Sequence, residues 1–112
     1  MYMQSIIDAV LAFRDARDRK QFHNPKDLAT AIAIEAGELQ EHFLRRSQEE
    51  SHALAQTQEA KEEFADIMIF LLEYADLVGI DIHKEVLAKL DKAAIKYPIE
   101  KSKGKSDKHT TL

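Results

Sequence analysis

The chain has 112 residues, of which 45% are hydrophobic, and a formal net charge of −4. This length fits one domain with a core of its own, and the acidic balance argues against nucleic acid as a general partner. The absence of cysteine excludes a disulfide framework, a thiolate metal site and a cysteine nucleophile. No apolar run approaches the roughly 18 residues of a membrane span, and the first residues lack the basic region of a signal peptide. A cytoplasmic protein without a membrane partner is therefore expected.

Helical periodicity runs through almost the whole chain, which contains only three glycines and two prolines. The pattern predicts four helices, at residues 3–20, 25–46, 59–78 and 81–95. Short links between them favour an all-α fold with a four-helix bundle. We expect one helical domain over residues 1–98. Residues 99–112 are rich in lysine and almost free of apolar side chains, so we expect this tail to be disordered.

Capping residues mark several helix ends in the sequence. Asn24 is a good N-cap for the second helix, and Gly79 is a good C-cap for the third. Ser47 followed by Glu50 resembles a capping box. The polar stretch that follows, to about residue 58, is nevertheless expected to be a loop or a weak helical turn.

The third predicted helix is apolar on nearly every side. Its residues 67–72 are Ile-Met-Ile-Phe-Leu-Leu, with no polar position among them. A surface helix of a small monomer needs a polar face toward solvent. We therefore expect a homodimer or a homotetramer.

Two carboxylate pairs lie inside stretches that otherwise read as buried helix. They are Glu35 with Glu38, and Glu63 with Asp66. Residues three apart lie on one face of a helix, and the neighbours on these faces are apolar. Four carboxylates directed toward a core would repel one another and resist desolvation. A hard divalent cation relieves both costs, and oxygen ligands suit Mg²⁺, with Mn²⁺ as a substitute. The alternative is a pair of solvated stripes on amphipathic helices.

The ordered residues Glu35-Ala-Gly-Glu38 and Glu62-Glu63-Phe-Ala-Asp66 resemble the ExxE…ExxD signature of the MazG-like all-α nucleotide pyrophosphohydrolases. Residues 22–29 resemble the entry to the second helix in the dCTP pyrophosphatase-like branch of that family. Residues 79–81 and 96–98 resemble the closing motifs of the same branch. The resemblance extends from about Phe22 to Pro98.

This resemblance implies a Mg²⁺-dependent hydrolase. Family members cleave a nucleoside triphosphate, here expected to be a deoxynucleotide, between the α and β phosphates, and they release a monophosphate and pyrophosphate. Removal of unwanted nucleotides is the implied role. Carried over by position, the metal ligands and catalytic residues are Glu35, Glu38, Glu63 and Asp66.

Further residues are candidates for contacts with the nucleotide or for proton transfer. Phe22 and His23 are placed to stack on a base, although Phe22 also fits a hydrophobic staple. The candidate substrate-binding residues are Phe22, His23, Asn24, Lys26, Lys89, Lys96 and Tyr97. Glu62 and Glu41 are candidates for a general base or for support of the metal ligands.

Three positions depart from the pattern of the relatives. Ile34 stands where some of them have glutamate, Arg45 where the dCTP-type branch often has tryptophan, and Ala93 where it often has asparagine. The preferred base is therefore left open by the sequence.

Two other classes of helical protein compete with the enzyme as interpretations of this sequence. A ferritin-like di-iron bundle needs two Glu-x-x-His motifs, and only residues 49–52 supply one. A non-enzymatic helical adaptor explains a bundle and an oligomer, but it does not explain carboxylates directed at a core.

Overall fold

The computed structural model describes residues 2–112, and within that range the regular structure is entirely helical. The α-helices are α1 (Tyr2–Ala16), α2 (Pro25–Glu41), α3 (Gln48–Leu54), α4 (Gln58–Val78), α5 (Ile82–Lys96) and α6 (Ile99–Ser102). Two 3₁₀ turns lie at Lys20–Phe22 and His109–Thr111. The predicted all-α class and its four long helices are confirmed.

Two of the long helices end earlier than their apolar patterns predicted. Helix α1 ends at Ala16, because Asp18 adopts a φ of 50°. Helix α2 ends at Glu41, well before the predicted residue 46, and Arg45 adopts a φ of 61°. A positive φ belongs to the left-handed region, which a right-handed helix cannot pass through.

The capping predictions are confirmed. The Asn24 side-chain oxygen accepts a hydrogen bond from the backbone N–H of Asp27 at 2.9 Å. Gly79 ends α4 with a φ of 76°, as a left-handed C-cap requires. Ser47 and Glu50 form both bonds of a capping box, at 3.0 and 3.2 Å. This reciprocal cap starts α3 in the stretch for which a loop or weak turn was expected.

The first compact unit ends at Gly79 and contains α1 to α4. Helix α2 packs along α4, and α1 packs against α4 as well. The apolar core of this arrangement is small. Its buried members are Leu28, Ala60, Leu72 and Ala75.

The second compact unit is Ile80–Leu112 and contains α5 and α6. Asp81 caps α5 by accepting a hydrogen bond from the backbone N–H of Lys84 at 3.0 Å. In the tail, the rings of Tyr97 and His109 meet edge to face with centroids 5.7 Å apart. Disorder of residues 99–112 in solution stays a prediction. None of the helices within residues 2–112 is long and apolar enough to cross a membrane.

Candidate active site

Helices α2 and α4 bring three of the four predicted carboxylates together. Glu35 comes from α2, and Glu63 and Asp66 come from α4. One carboxylate oxygen of each residue lies within 4.8 Å of those of the other two. Glu35 and Glu63 are half-buried, whereas Asp66 is exposed. The two pairs meet because the helices that carry them pack along each other.

Glu38 lies beside this group rather than within it. It is half-buried on α2 and does not belong to the closely spaced set. Its carboxylate is nevertheless close enough to raise the pKa of both Glu35 and Glu63. The four predicted ligands thus form one acidic cluster, in which Glu38 is the peripheral member.

The cluster has the electrostatics expected of crowded carboxylates. Desolvation, followed by the neighbouring Glu38, raises the pKa of Glu35 to about 7. Desolvation and Glu38 also raise the pKa of Glu63 above its ordinary value. Ionising all of these groups without a countercharge is therefore unfavourable.

Two oxygen atoms of the cluster have no partner. Oε2 of Glu35 and Oε2 of Glu63 are buried and make no hydrogen bond within the described residues. Burying such an atom costs free energy unless a cation or a hydrogen-bond donor lies beside it. A hard divalent cation supplies the charge, and an all-oxygen ligand set suits Mg²⁺ or Mn²⁺. The residues present therefore fit a divalent metal.

A cavity of about 490 Å³ adjoins the cluster, because Asp66 is one of its lining residues. Residues of α1, of α4 and of the turn between α1 and α2 form its walls. Most of the lining is apolar, with Val10, Phe13 and Phe70 among the larger side chains. A cavity with apolar walls and a few polar groups is typical of a small-molecule site.

Four polar side chains besides Asp66 line this cavity: Arg14, Arg19, His23 and Glu73. Arg14 is 5% exposed, and it donates hydrogen bonds of 2.8 Å to Asp15 and to Asp76. Glu73 is 7% exposed, and its Oε2 lies 3.0 Å from Nε2 of His23.

Arg14 and Glu73 are not among the candidate residues that the sequence motifs indicate. The apolar pattern of the first helix places Arg14, with Asp15, Arg17 and Asp18, on its solvent-exposed side. That prediction is wrong for Arg14, because packing of α1 on α4 buries it. Glu73 follows a long apolar run and lies seven residues after Asp66, on the same face of α4. That spacing is the feature of the sequence from which a place for Glu73 near the site could have been predicted.

The other candidate residues lie apart from the closely spaced carboxylates. Phe22 is 69% exposed, which does not support a hydrophobic staple, and Lys26 is exposed and pairs loosely with Asp27 at 3.6 Å. Asn24 is engaged as the cap of α2. Glu41 and Glu62 are exposed. Lys89, Lys96 and Tyr97 belong to the second unit.

Gly37 lies between the two carboxylates of α2, where a glycine costs about 1 kcal/mol relative to alanine, and this cost predicts close approach of a helix or a ligand. Among the described residues nothing lies within 4 Å of where its Cβ would be. Close approach of a neighbouring helix in the same chain is therefore not the reason for this glycine.

The fold and the cluster define an all-α protein with an acidic, metal-type site between two packed helices. A family model described as MazG-like matches residues 30–112. The chain thus belongs to the MazG-like family, as its sequence motifs predicted.

Curated relatives and a solved structure agree with this assignment. Over 104 residues, 89% of this chain, the sequence is 36% identical to dCTP pyrophosphatase 1 of Bos taurus and 32% identical to that of Homo sapiens. The match spans only 62% and 61%, respectively, of those two proteins. A crystal structure of a pyrophosphatase from Archaeoglobus fulgidus superposes with a TM-score of 0.80 at 37% identity. That match covers 88% of this chain and 94% of the archaeal one.

Proposed function

We propose that the protein is a divalent-metal-dependent nucleoside triphosphate pyrophosphohydrolase that releases a nucleoside monophosphate and pyrophosphate. The observation that carries the proposal is the acidic cluster with buried, unpartnered oxygens on Glu35 and Glu63. The names of the similar proteins, dCTP pyrophosphatase and pyrophosphatase, support the same reaction. The function of a non-enzymatic helical adaptor would not require such a cluster of carboxylates. A cytoplasmic location fits this role and stays a prediction.

In this proposal Glu35, Glu38, Glu63 and Asp66 hold Mg²⁺, or Mn²⁺ in its place. When bound, the metal offsets the charge of the phosphate oxygens and lowers the pKa of a bound water. The protein contributes the oxygen ligands and fixes their spacing through the packing of α2 on α4. A carboxylate of the cluster takes the proton of the attacking water, and Glu62 and Glu41 remain the alternative bases.

The nucleoside part of the substrate is assigned to the adjoining cavity. Asp66 lines this cavity and also belongs to the acidic cluster, so phosphates held at the cluster leave the sugar and base beside it. The apolar walls suit a sugar without a 2′-hydroxyl, in keeping with a deoxynucleotide. Phe22, His23, Asn24 and Lys26 are proposed to contact the nucleotide from the entry to α2. Lys89, Lys96 and Tyr97 stay predicted substrate-binding residues.

We also propose that the active form is a homodimer or a homotetramer. Helix α4 exposes Phe64 to 60% and Leu71 to 41%. Phe64 also lines a second cavity of about 320 Å³, together with Leu39 and Phe43. No large side chain within residues 2–112 is fully buried. Burying these apolar surfaces against another copy would supply the core that one chain lacks.

A pair of matched substitutions on α4 tests the catalytic proposal. Glu63→Gln removes one charge from the cluster at constant shape, whereas Glu59→Gln makes the same change at an exposed site in the first turn of α4. With dCTP and Mg²⁺, we expect Glu63→Gln to abolish most pyrophosphate release and Glu59→Gln to retain it. Equal activity in the two variants would contradict the proposed site.

A further inference from the structure

Glu73 is a buried carboxylate that the proposed metal chemistry does not use. It is 7% exposed, and its ion-pair contact is with His23, at 3.0 Å. A carboxylate offers about four lone-pair positions, and within residues 2–112 no further side chain makes an ion pair with it. Buried polar groups are nearly always hydrogen-bonded. The acceptor positions of Glu73 that His23 does not use are therefore open to a donor that enters the cavity.

The position of Glu73 indicates what kind of donor this is. Glu73 lines the same cavity as Asp66 and lies seven residues further along α4, or about 10 Å along the helix axis. Asp66 belongs to the acidic cluster assigned to the phosphates. Glu73 is thus two helical turns away from the phosphate site, on the wall of the cavity assigned to the nucleoside.

We propose that Glu73 is a specificity-determining residue, which accepts a hydrogen bond from the exocyclic amino group of the substrate's base. The inference rests on the proposed function and names the substrate class as nucleotides with an amino-bearing base, cytosine foremost. A carboxylate is a known acceptor for the cytosine N4 amine. Uracil and thymine carry a carbonyl at the corresponding position. The carbonyl oxygen and the Glu73 carboxylate are both acceptors, so no hydrogen bond could form between them.

The positive charges around Glu73 act on its carboxyl in the direction opposite to burial. Burial raises the pKa of Glu73, and the positive groups of His23, Arg14 and Arg19 oppose this rise. Arg14 is itself buried and held in place by Asp15 and Asp76. The fixed charge of Arg14 lowers the pKa of Glu73 and so stabilises the ionised form, which can only accept hydrogen bonds.

The first test compares dCTP with dUTP in wild-type protein and in Glu73→Gln. The two nucleotides differ at C4, which carries an amine in cytosine and a carbonyl in uracil, and at N3, which is an acceptor in cytosine and carries a proton in uracil. Wild-type protein should prefer dCTP. Glutamine has nearly the same shape, but its amide can also donate to the uracil carbonyl, so the dCTP-to-dUTP ratio of kcat/KM should fall about tenfold or more, mainly through KM. Glu59→Gln, the same chemical change on the exposed face of α4, should leave the ratio unchanged.

A purely structural role for Glu73 predicts a different pattern. Loss of the contact with His23 would lower activity toward both nucleotides alike and leave their ratio unchanged. That result would overturn the inference while leaving the proposed function intact. A wild-type protein that hydrolyses no nucleotide at all would instead refute the proposed function, and the inference would fall with it.

A second test needs no variant and remains decisive if Glu73→Gln does not fold. The triphosphate of 2-pyrimidinone deoxyriboside keeps the ring of cytosine but has hydrogen in place of the amine. Wild-type protein should use it with a kcat/KM about tenfold or more below that of dCTP, because Glu73 would stay without its donor. Equal use of the two nucleotides would overturn the inference. Adding dATP distinguishes an amine-specific pocket, which accepts it, from one that also requires a pyrimidine.

Discussion

The raised pKa of Glu35 makes a quantitative prediction about metal binding. The pKa is about 7 in the metal-free protein, because desolvation and Glu38 both disfavour the carboxylate. A metal ligand must be deprotonated, so protons compete with Mg²⁺ for this residue. Lowering the pH from 8 to 6 changes Glu35 from about one-tenth to about nine-tenths protonated. The apparent affinity for Mg²⁺ should therefore fall about tenfold over this range.

Isothermal titration with Mg²⁺ or Mn²⁺ at pH 6, 7 and 8, without nucleotide, measures this dependence. Affinity for the metal should rise with pH. Because the pKa of Glu35 is raised, its carboxyl still holds a proton near neutral pH, and this proton must leave before the metal binds. Glu63, whose pKa is also raised, makes the dependence steeper. Glu59→Gln should show the same pH dependence as wild-type protein, since its altered position lies outside the cluster.

An ordinary exposed carboxylate is already ionised at pH 6 and predicts nearly constant affinity over this range. A Kd that is the same at pH 6 and pH 8 would therefore refute the reasoning about Glu35, even if metal binds. Absence of any binding at millimolar metal would refute the metal site itself.

Three further predictions concern the cluster, the buried arginine and the assembly. Glu38→Gln should lose most activity in a nucleotide assay yet melt at a higher temperature than wild type without metal, because one repelling charge is gone; a lower melting temperature would show that Glu38 stabilises the fold instead. Asp76→Asn should lower the free energy of unfolding by about 1–2 kcal/mol in urea titrations, because Arg14 is buried while Asp76 is partly exposed; unchanged stability would mean that Asp15 suffices as its partner. Sedimentation at micromolar concentration should give a dimer or tetramer, and a monomer near 12.8 kDa would refute the assembly.

The elements that were predicted correctly are those specified by local chemistry. Asn24 and Gly79 cap helices at the places where the sequence puts them, and Ser47 with Glu50 forms the predicted capping box. The pattern of apolar residues located the four long helices. Conversely, the apolar pattern of α2 continues to residue 46, past the true end of the helix at Glu41, because hydrophobic periodicity does not encode the turn at residues 42–45.

The candidate site also contains features that local spacing predicts and features that depend on how the helices pack. The i, i+3 spacing placed each carboxylate pair on one helix face, and the packing of α2 on α4 brings Glu35 close to Glu63 and Asp66. The burial of Arg14 and Glu73 was not predicted, because it depends on how α1 and α4 are oriented against each other. A charged residue on an amphipathic helix gives no local sign that its face will be covered.

The site of cleavage tests the central claim most directly. The protein should be incubated with dCTP and Mg²⁺, and pyrophosphate, orthophosphate and the nucleotide product should be measured separately in the same sample. The proposed reaction predicts pyrophosphate and dCMP in equal amounts, with no orthophosphate formed directly. Orthophosphate with dCDP as the first products would show attack at the γ phosphate and would contradict the proposed function.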